Sequence, residues 1–219
     1  MNDDIPILYS FRRCPYAMRA RLAIYVSNIK VQLREILLRD KAPEFLLASA
    51  KGTVPVLVTH KEVIEESLDI MVWSLKQEDP EHWLNMPTEG YNWISRNDGP
   101  FKKALDHTKY AARFPDLDPK LERAKALEFL TDLNLQIGNS KWMFGKDCSL
   151  ADMALLPFIR QFSNIDSLWF YSQNLPNVHK WLNYFLETNH FLQIMKKYNI
   201  CASNNPPICI LYTSEAADE

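Results

Sequence analysis

Within its first 78 residues the chain changes hydrophobic period several times, and that succession limits the folds open to it. "IPILYS" (5–10) is a short apolar run that ends in a polar loop, as a buried strand does. From Tyr16 to about Ser27, the apolar residues Met18, Leu22, Ala23 and Val26 recur at helical spacing, and Pro15 suits the first helical position, where a missing N–H costs no internal bond. "KVQLREI" (30–36) then alternates: Val31 and Leu33 share one face, which Glu35 would extend. A short helix over roughly 43–50 follows, then two short strands in "VPVLVTHKEVIEE" around a turn near His60–Lys61, then a helix from Ser67 to about Gln77. A βαβ unit followed by a ββα unit, with helices covering a four-stranded mixed sheet, is the simplest packing of that order.

"KQEDPEHWLNMP" (76–87) breaks the pattern with charges and two prolines and reads as a linker. The expected division is an α/β domain over 1–78, a linker over 79–88 and an all-helical domain over 89–219. Helical segments are expected near 89–112, 119–138, 150–163, 175–187 and 189–198. The tail "CASNNPPICILYTSEAADE" has a polar turn, a short apolar run and an acidic end, with no role assigned by the pattern.

Composition narrows the class. A net charge of −2 gives no whole-chain drive toward nucleic acid or an anionic membrane. No stretch approaches the roughly 20 apolar residues of a membrane span. "MNDDIPILYS" starts acidic and has no signal-peptide core, so a cytoplasmic location is expected. The five histidines are scattered without metal-ligand spacing, and no metal site is expected. Cys14, Cys148, Cys201 and Cys209 are spaced too irregularly for a disulfide framework or a paired zinc site.

Cys14 is the thiol to explain. It lies just before a helix start, where unpaired backbone N–H groups and the helix dipole favour negative charge. Arg12 and Arg13 precede it and Arg19 follows a little over one turn later. Such a setting can bring a thiol pKa from about 8.5 into the range ~3.5–7.5. The other reading is an inert buried cysteine at a helix start, against which the polar pair upstream argues. A dithiol oxidoreductase would place a second cysteine three residues on; here that residue is Ala17. Chemistry at Cys14 therefore requires an external thiol with its own binding site.

Two segments offer such a site. In "GTVPVL" (52–57) Val54 precedes Pro55 at a strand entry. A cis Val54–Pro55 bond would turn the Val54 backbone outward to pair with an extended peptide; a trans bond would make it an ordinary strand entry. In "EES" (65–67) Ser67 is a good N-cap whose neighbouring N–H groups can hold a carboxylate, with Glu66 beside it for an ammonium. Read locally, the same residues are only a helix start.

With "CPYA", "KGTVPVL", "EES" and "GKDCSLADMALLP" in this order, the chain resembles the cytosolic glutathione transferase family from Ile5 to about Tyr198. The cysteine of "CPYA" makes it most similar to the omega-type and related bacterial cysteine classes. The resemblance implies a thioredoxin-like N-terminal domain (βαβ-ββα), an all-α C-terminal domain and glutathione as cosubstrate. Cys14 would be the catalytic thiol, forming a mixed disulfide with glutathione. Val54 beside Pro55 would pair with the cysteinyl part, and Glu66 and Ser67 would hold the γ-glutamyl end. Lys41 would approach the glycyl carboxylate, or stand as a solvated surface lysine.

"SLAD" (149–152) matches the family's capping box, with Ser149 and Asp152 exchanging hydrogen bonds in a structural role. The acceptor substrate is expected between the domains, against the first helix of the second half. Tyr16, Tyr110 and Trp169 are candidate lining, and Lys102, Lys103 and Lys109 would favour anions unless they form a solvated helix face. The implied activity is glutathione-dependent thiol transfer or reduction of a small electrophilic, disulfide or glutathionylated substrate, including dehydroascorbate-type reduction, with weak conjugation. Two alternatives stay open: a non-catalytic, protein-binding member of this fold, and a monothiol glutaredoxin that pairs the domain with a helical one. Family habit implies a homodimer; no residue demands one.

Overall fold

Leu8 and Tyr9, adjacent in the strand β1 (Ile7–Ser10), point to opposite faces of a sheet, and each face carries its own core. The computed structural model describes residues 5–200 and 208–210. The sheet order is β4-β3-β1-β2-β5, with β2 Val31–Glu35, β3 Val56–Val58, β4 Val63–Ile64 and β5 Ile208–Ile210. β2 runs parallel to β1, and β3 and β4 run antiparallel to their neighbours, which is the expected four-stranded mixed sheet. β5 adds a fifth, antiparallel strand at the β2 edge, pairing Gln32 with Cys209 through the backbone. That strand was not expected from the tail. Cys201 lies outside the described residues, as do the remainder of the tail and residues 1–4.

On one face Leu8, Val31, Leu33 and Leu57 meet Ala20 and Ile24 of α1 (Pro15–Val26) and Ile70 of α3 (Ser67–Gln77). On the other, Tyr9, Ile36 and Val56 pack with Phe45 of α2 (Pro43–Ala48), with Ala17, and with Val54. α1 is buried nearly all round, because α3 and a C-terminal helix, α10 (Asn189–Ile194), both pack on it. The compact unit around the sheet therefore comprises residues 5–81 with 188–200 and 208–210. The 189–198 segment, assigned above to the all-helical domain over 89–219, belongs with the sheet.

The second unit, 82–187, is helical: α4 (Glu89–Arg96), α5 (Lys102–Lys109), α6 (Pro119–Ile137), α7 (Leu150–Ser163), α8 (Ser167–Ser172) and α9 (Pro176–Glu187). The single helix expected over 89–112 is interrupted by a π-helical turn, Asn97–Phe101, and ends in a 3₁₀ turn, Ala111–Arg113. Pro100 supplies the reason: it brings no N–H to the ladder and its ring crowds the preceding turn, so the helix widens by one residue there. The capping box forms at the start of α7: Ser149 N–H donates to Asp152 Oδ2 at 3.0 Å and Asp152 N–H donates to Ser149 Oγ at 3.4 Å. Among the described residues no helix is long and apolar enough to cross a membrane.

Candidate functional site

Cys14 is the N-cap residue of α1, half-buried, with extended backbone (φ −80°, ψ 124°) and Pro15 at the first helical position. Its N–H donates to Phe11 O at 2.9 Å, closing the turn that aims the side chain. The thiol makes no capping hydrogen bond to α1. It donates instead to the Val54 carbonyl, with Sγ 3.7 Å from the oxygen. Residues 40 apart in sequence are thus joined at one spot, and the Val54–Pro55 bond beside the thiol is cis. Among the described residues no hydrogen bond is recorded from the Val54 N–H, which leaves a donor beside the thiol for an extended ligand.

Of the three arginines expected to surround the thiol, only Arg13 is exposed. Arg19 is fully buried, with its guanidinium 5.7 Å from the Tyr16 ring centroid, so it serves packing inside the unit rather than the solvent side of Cys14. Tyr16 is half-buried beneath that cation.

Lys41 reaches the loop that precedes Val54. A Cβ placed on Gly52 would stand 3.0 Å from Lys41 Nζ and 3.2 Å from a Leu46 methyl, and Gly52 has φ +59°. The positive φ calls for glycine there, and without a side chain on Gly52 the Lys41 ammonium lies close over the "KGTVP" segment. α3 starts at Ser67 as expected, but its N-cap is Glu66, one residue before the serine expected to fill that role. Ser67 is buried and Glu66 exposed, so the serine faces inward and the carboxylate lies at the surface.

Lys51, not singled out above, donates to Glu66 Oε1 at 3.1 Å and lies 3.8 Å from Glu65 Oε2. The hydrogen bond to Glu66 pushes the Lys51 pKa up, with the charges of Glu65 and Glu66 adding to it. Its place in "KGTVP", two residues from Thr53, was the only available signal.

The acceptor-lining candidates in the helical unit are not brought together by any contact recorded for them. Tyr110, at the C-terminal end of α5, lies under Lys109 and Arg113 at 5.0 and 4.6 Å. Trp169 packs edge-on against Phe162 and lies under Arg123 at 4.8 Å. Two cavities in this unit, of about 860 and 500 Å³, include neither residue in their walls. Lys102, largely buried, pairs with Asp106, whereas Lys103 and Lys109 are exposed.

Residues 8–83 match the family model described as the glutathione S-transferase N-terminal domain. A probable glutathione S-transferase, parA, of Nicotiana tabacum is 24% identical over 225 residues, covering 88% of this chain and 99% of that protein. Glutathione S-transferase U22 of Arabidopsis thaliana is 24% identical over 180 residues, covering 77% of this chain and 78% of the relative. Among solved structures, a glutathione transferase family member from Pseudomonas fluorescens with two glutathione bound superimposes with a TM-score of 0.75 at 17% identity, covering 89% of this chain and 94% of the other. Glutathione transferase Omega 3C from Trametes versicolor gives 0.73 at 18% identity, with 86% and 83% covered. Within the matched stretch Cys14 meets Val54 beside Pro55, Lys41 lies against the Gly52 loop, and Glu66 and Ser67 stand at the start of α3; the solved structures share its thioredoxin-like fold.

Proposed function

We propose that this chain is a glutathione-dependent thiol transferase of the cysteine type, with Cys14 as its nucleophile. The observation that carries the reading is the seat of the thiol: at the head of α1, against the Val54 carbonyl, with alanine where a resolving cysteine would stand. The Cys14 thiolate attacks the glutathionyl sulfur of a mixed disulfide; a Cys14–glutathione disulfide forms as the substrate thiolate leaves and takes a proton. A glutathione thiolate then attacks the glutathionyl sulfur of that adduct, releasing oxidised glutathione and the Cys14 thiolate. Reduction of a dehydroascorbate-type acceptor draws the same two electrons from two glutathiones.

The Val54 N–H and C=O suit the cysteinyl backbone of glutathione. Glu66 suits its ammonium, with Lys51 as the partner to be displaced, and Ser67 suits the γ-glutamyl carboxylate. Lys41 over the Gly52 loop suits the glycyl carboxylate. The bound glutathione of the Pseudomonas relative supports this assignment of ligand. A cytoplasmic setting, where glutathione keeps thiols reduced, fits the cycle.

Intact mass after incubation with oxidised glutathione tests the reading. Wild type is expected to gain one glutathionyl adduct and Cys14→Ala none; an adduct that persists in Cys14→Ala, or thiol transfer unchanged in it, overturns the mechanism. Ser67→Ala and Lys41→Ala are each expected to raise the KM for glutathione about three- to tenfold, with kcat altered less than about twofold, because each removes binding made equally in the ground and transition states. Steady-state kinetics at varied glutathione checks this.

A further inference from the structure

Glu35 is the one carboxylate on the buried face of β2, in line with Val31 and Leu33, and it is 9% exposed. A buried carboxylate is a costly way to fill a strand face, since apolar side chains of similar volume do so without desolvating a charge. Its contacts show where it is used. Oε1 accepts the Arg12 backbone N–H at 2.6 Å, and Oε2 lies 3.4 Å from Arg21 Nη1. Arg12 stands two residues before Cys14, inside the Phe11–Cys14 turn. Its guanidinium continues to the Met195 carbonyl at 3.3 Å, and the Glu35 backbone bridges to Ile200. The charged and titratable groups facing Glu35 are thus Arg12 from the loop and Arg21 from α1, with Tyr198 stacked beyond Arg21.

We propose that Glu35 is a positioning residue for Cys14: by accepting the Arg12 N–H it anchors the turn that delivers the thiol to the head of α1. The proposal rests on the reading of Cys14 as the nucleophile and extends it to the group that sets its place. The thiolate is favoured only while it lies within the first turn of α1, where the field of the helix end is felt. Oε1 and the Arg12 N–H are the tie between strand and turn; Oε2 and Arg21 are the tie between strand and helix. Burial raises the Glu35 pKa, against which the Arg12 N–H and then the two arginine charges work to keep the carboxylate ionised.

Reach and charge can be separated by two substitutions. Glu35→Gln keeps an oxygen at the same reach but loses the charge that faces Arg21. Glu35→Asp keeps the charge but is one methylene shorter, so it withdraws from the Arg12 N–H. The readout is the rate of iodoacetamide alkylation of Cys14 as a function of pH, with thermal stability measured alongside and Cys14→Ser used to assign the alkylated site.

Glu35→Asp is expected to alkylate about tenfold more slowly at neutral pH, its profile displaced to higher pH, while Glu35→Gln stays within about twofold of wild type despite lower stability. Val31→Ala, which destabilises the same strand face, is expected to leave the rate unchanged. Wild-type reactivity in Glu35→Asp, or rates that follow stability across all three variants, overturns the positioning role. Alkylation uses no glutathione, so this outcome is independent of thiol transfer; thiol transfer that survives Cys14→Ser would instead overturn the reading of Cys14.

Discussion

Asp152→Ala is expected to destabilise the helical unit by about 3–5 kcal/mol, read as a lowered denaturation midpoint with an unchanged slope. The carboxylate is fully buried and accepts from four donors. Oδ1 takes the Met143 N–H and the Trp181 indole N–H, each at 2.9 Å, and Oδ2 takes the Ser149 N–H and hydroxyl. Removing it strands two backbone donors and an indole donor away from water, and each such group costs about 1–3 kcal/mol. The loss exceeds that of an ordinary N-cap, about 1 kcal/mol, because Asp152 ties the start of α7 to the segment before it and to α9. Asp152→Asn keeps the oxygen facing Met143 and Trp181 but turns an amide toward the Ser149 N–H, so a smaller loss of about 1–3 kcal/mol is expected. Burial raises the Asp152 pKa, opposed by the hydrogen bonds from Ser149, Met143 and Trp181. Between its unfolded and folded pKa values the native state then binds more protons than the unfolded chain. Its contribution to stability therefore falls as pH rises through that window, and the fall is expected to be absent in Asp152→Asn.

Local patterns announced most of the sheet unit. Alternation in "KVQLREI" placed Val31, Leu33 and Glu35 on one buried face, and the proline after Cys14 marked the start of α1. What the sequence could not carry was contact between distant segments. The helix at 189–194 looks like any amphipathic helix, and only packing on α1 assigns it to the sheet. Burial of Arg19 and Arg21 depends on that same packing, because α3 and α10 both cover α1.

α8 is only six residues long, too short for periodicity, although Asp166 accepting from the Trp169 N–H is an N-cap that "DSLW" could have revealed. The helix through Pro100 read as continuous because its apolar spacing survives the widened turn, and the proline was the overlooked mark. For the candidate site, "CPYA" and "TVP" pointed to the two segments that meet at the Cys14–Val54 contact. The Arg12–Glu35 tie and the Lys51–Glu66 pair were invisible, because their partners lie 23 and 15 residues apart with no periodic relation.

Cys14→Ser is expected to lower thiol transfer by at least about a thousandfold while leaving the fold intact. Sulfur and oxygen differ little in size at this half-buried position, and the side chain makes no cap that α1 depends on. The chemical difference is large. A serine hydroxyl at a helix head stays protonated at neutral pH and cannot form a disulfide, so both half-reactions of the proposed cycle lose their nucleophile and leaving group. The same hydroxyl, held toward the Val54 carbonyl where Sγ now lies at 3.7 Å, can donate to the sulfur of a bound glutathione without bonding to it.

Stabilising a glutathione thiolate in that way favours its attack on an electrophile. A rise in conjugation of 1-chloro-2,4-dinitrobenzene is therefore expected alongside the loss of thiol transfer. Assays of both activities on one preparation, with the glutathione KM held near the wild-type value, check the exchange. Loss of thiol transfer without a rise in conjugation would show that the serine hydroxyl does not stabilise a glutathione thiolate at this position. Thiol transfer that survives the substitution would show that another thiol carries the cycle, and Cys148, a half-buried residue of the helical unit, would be the one to replace next.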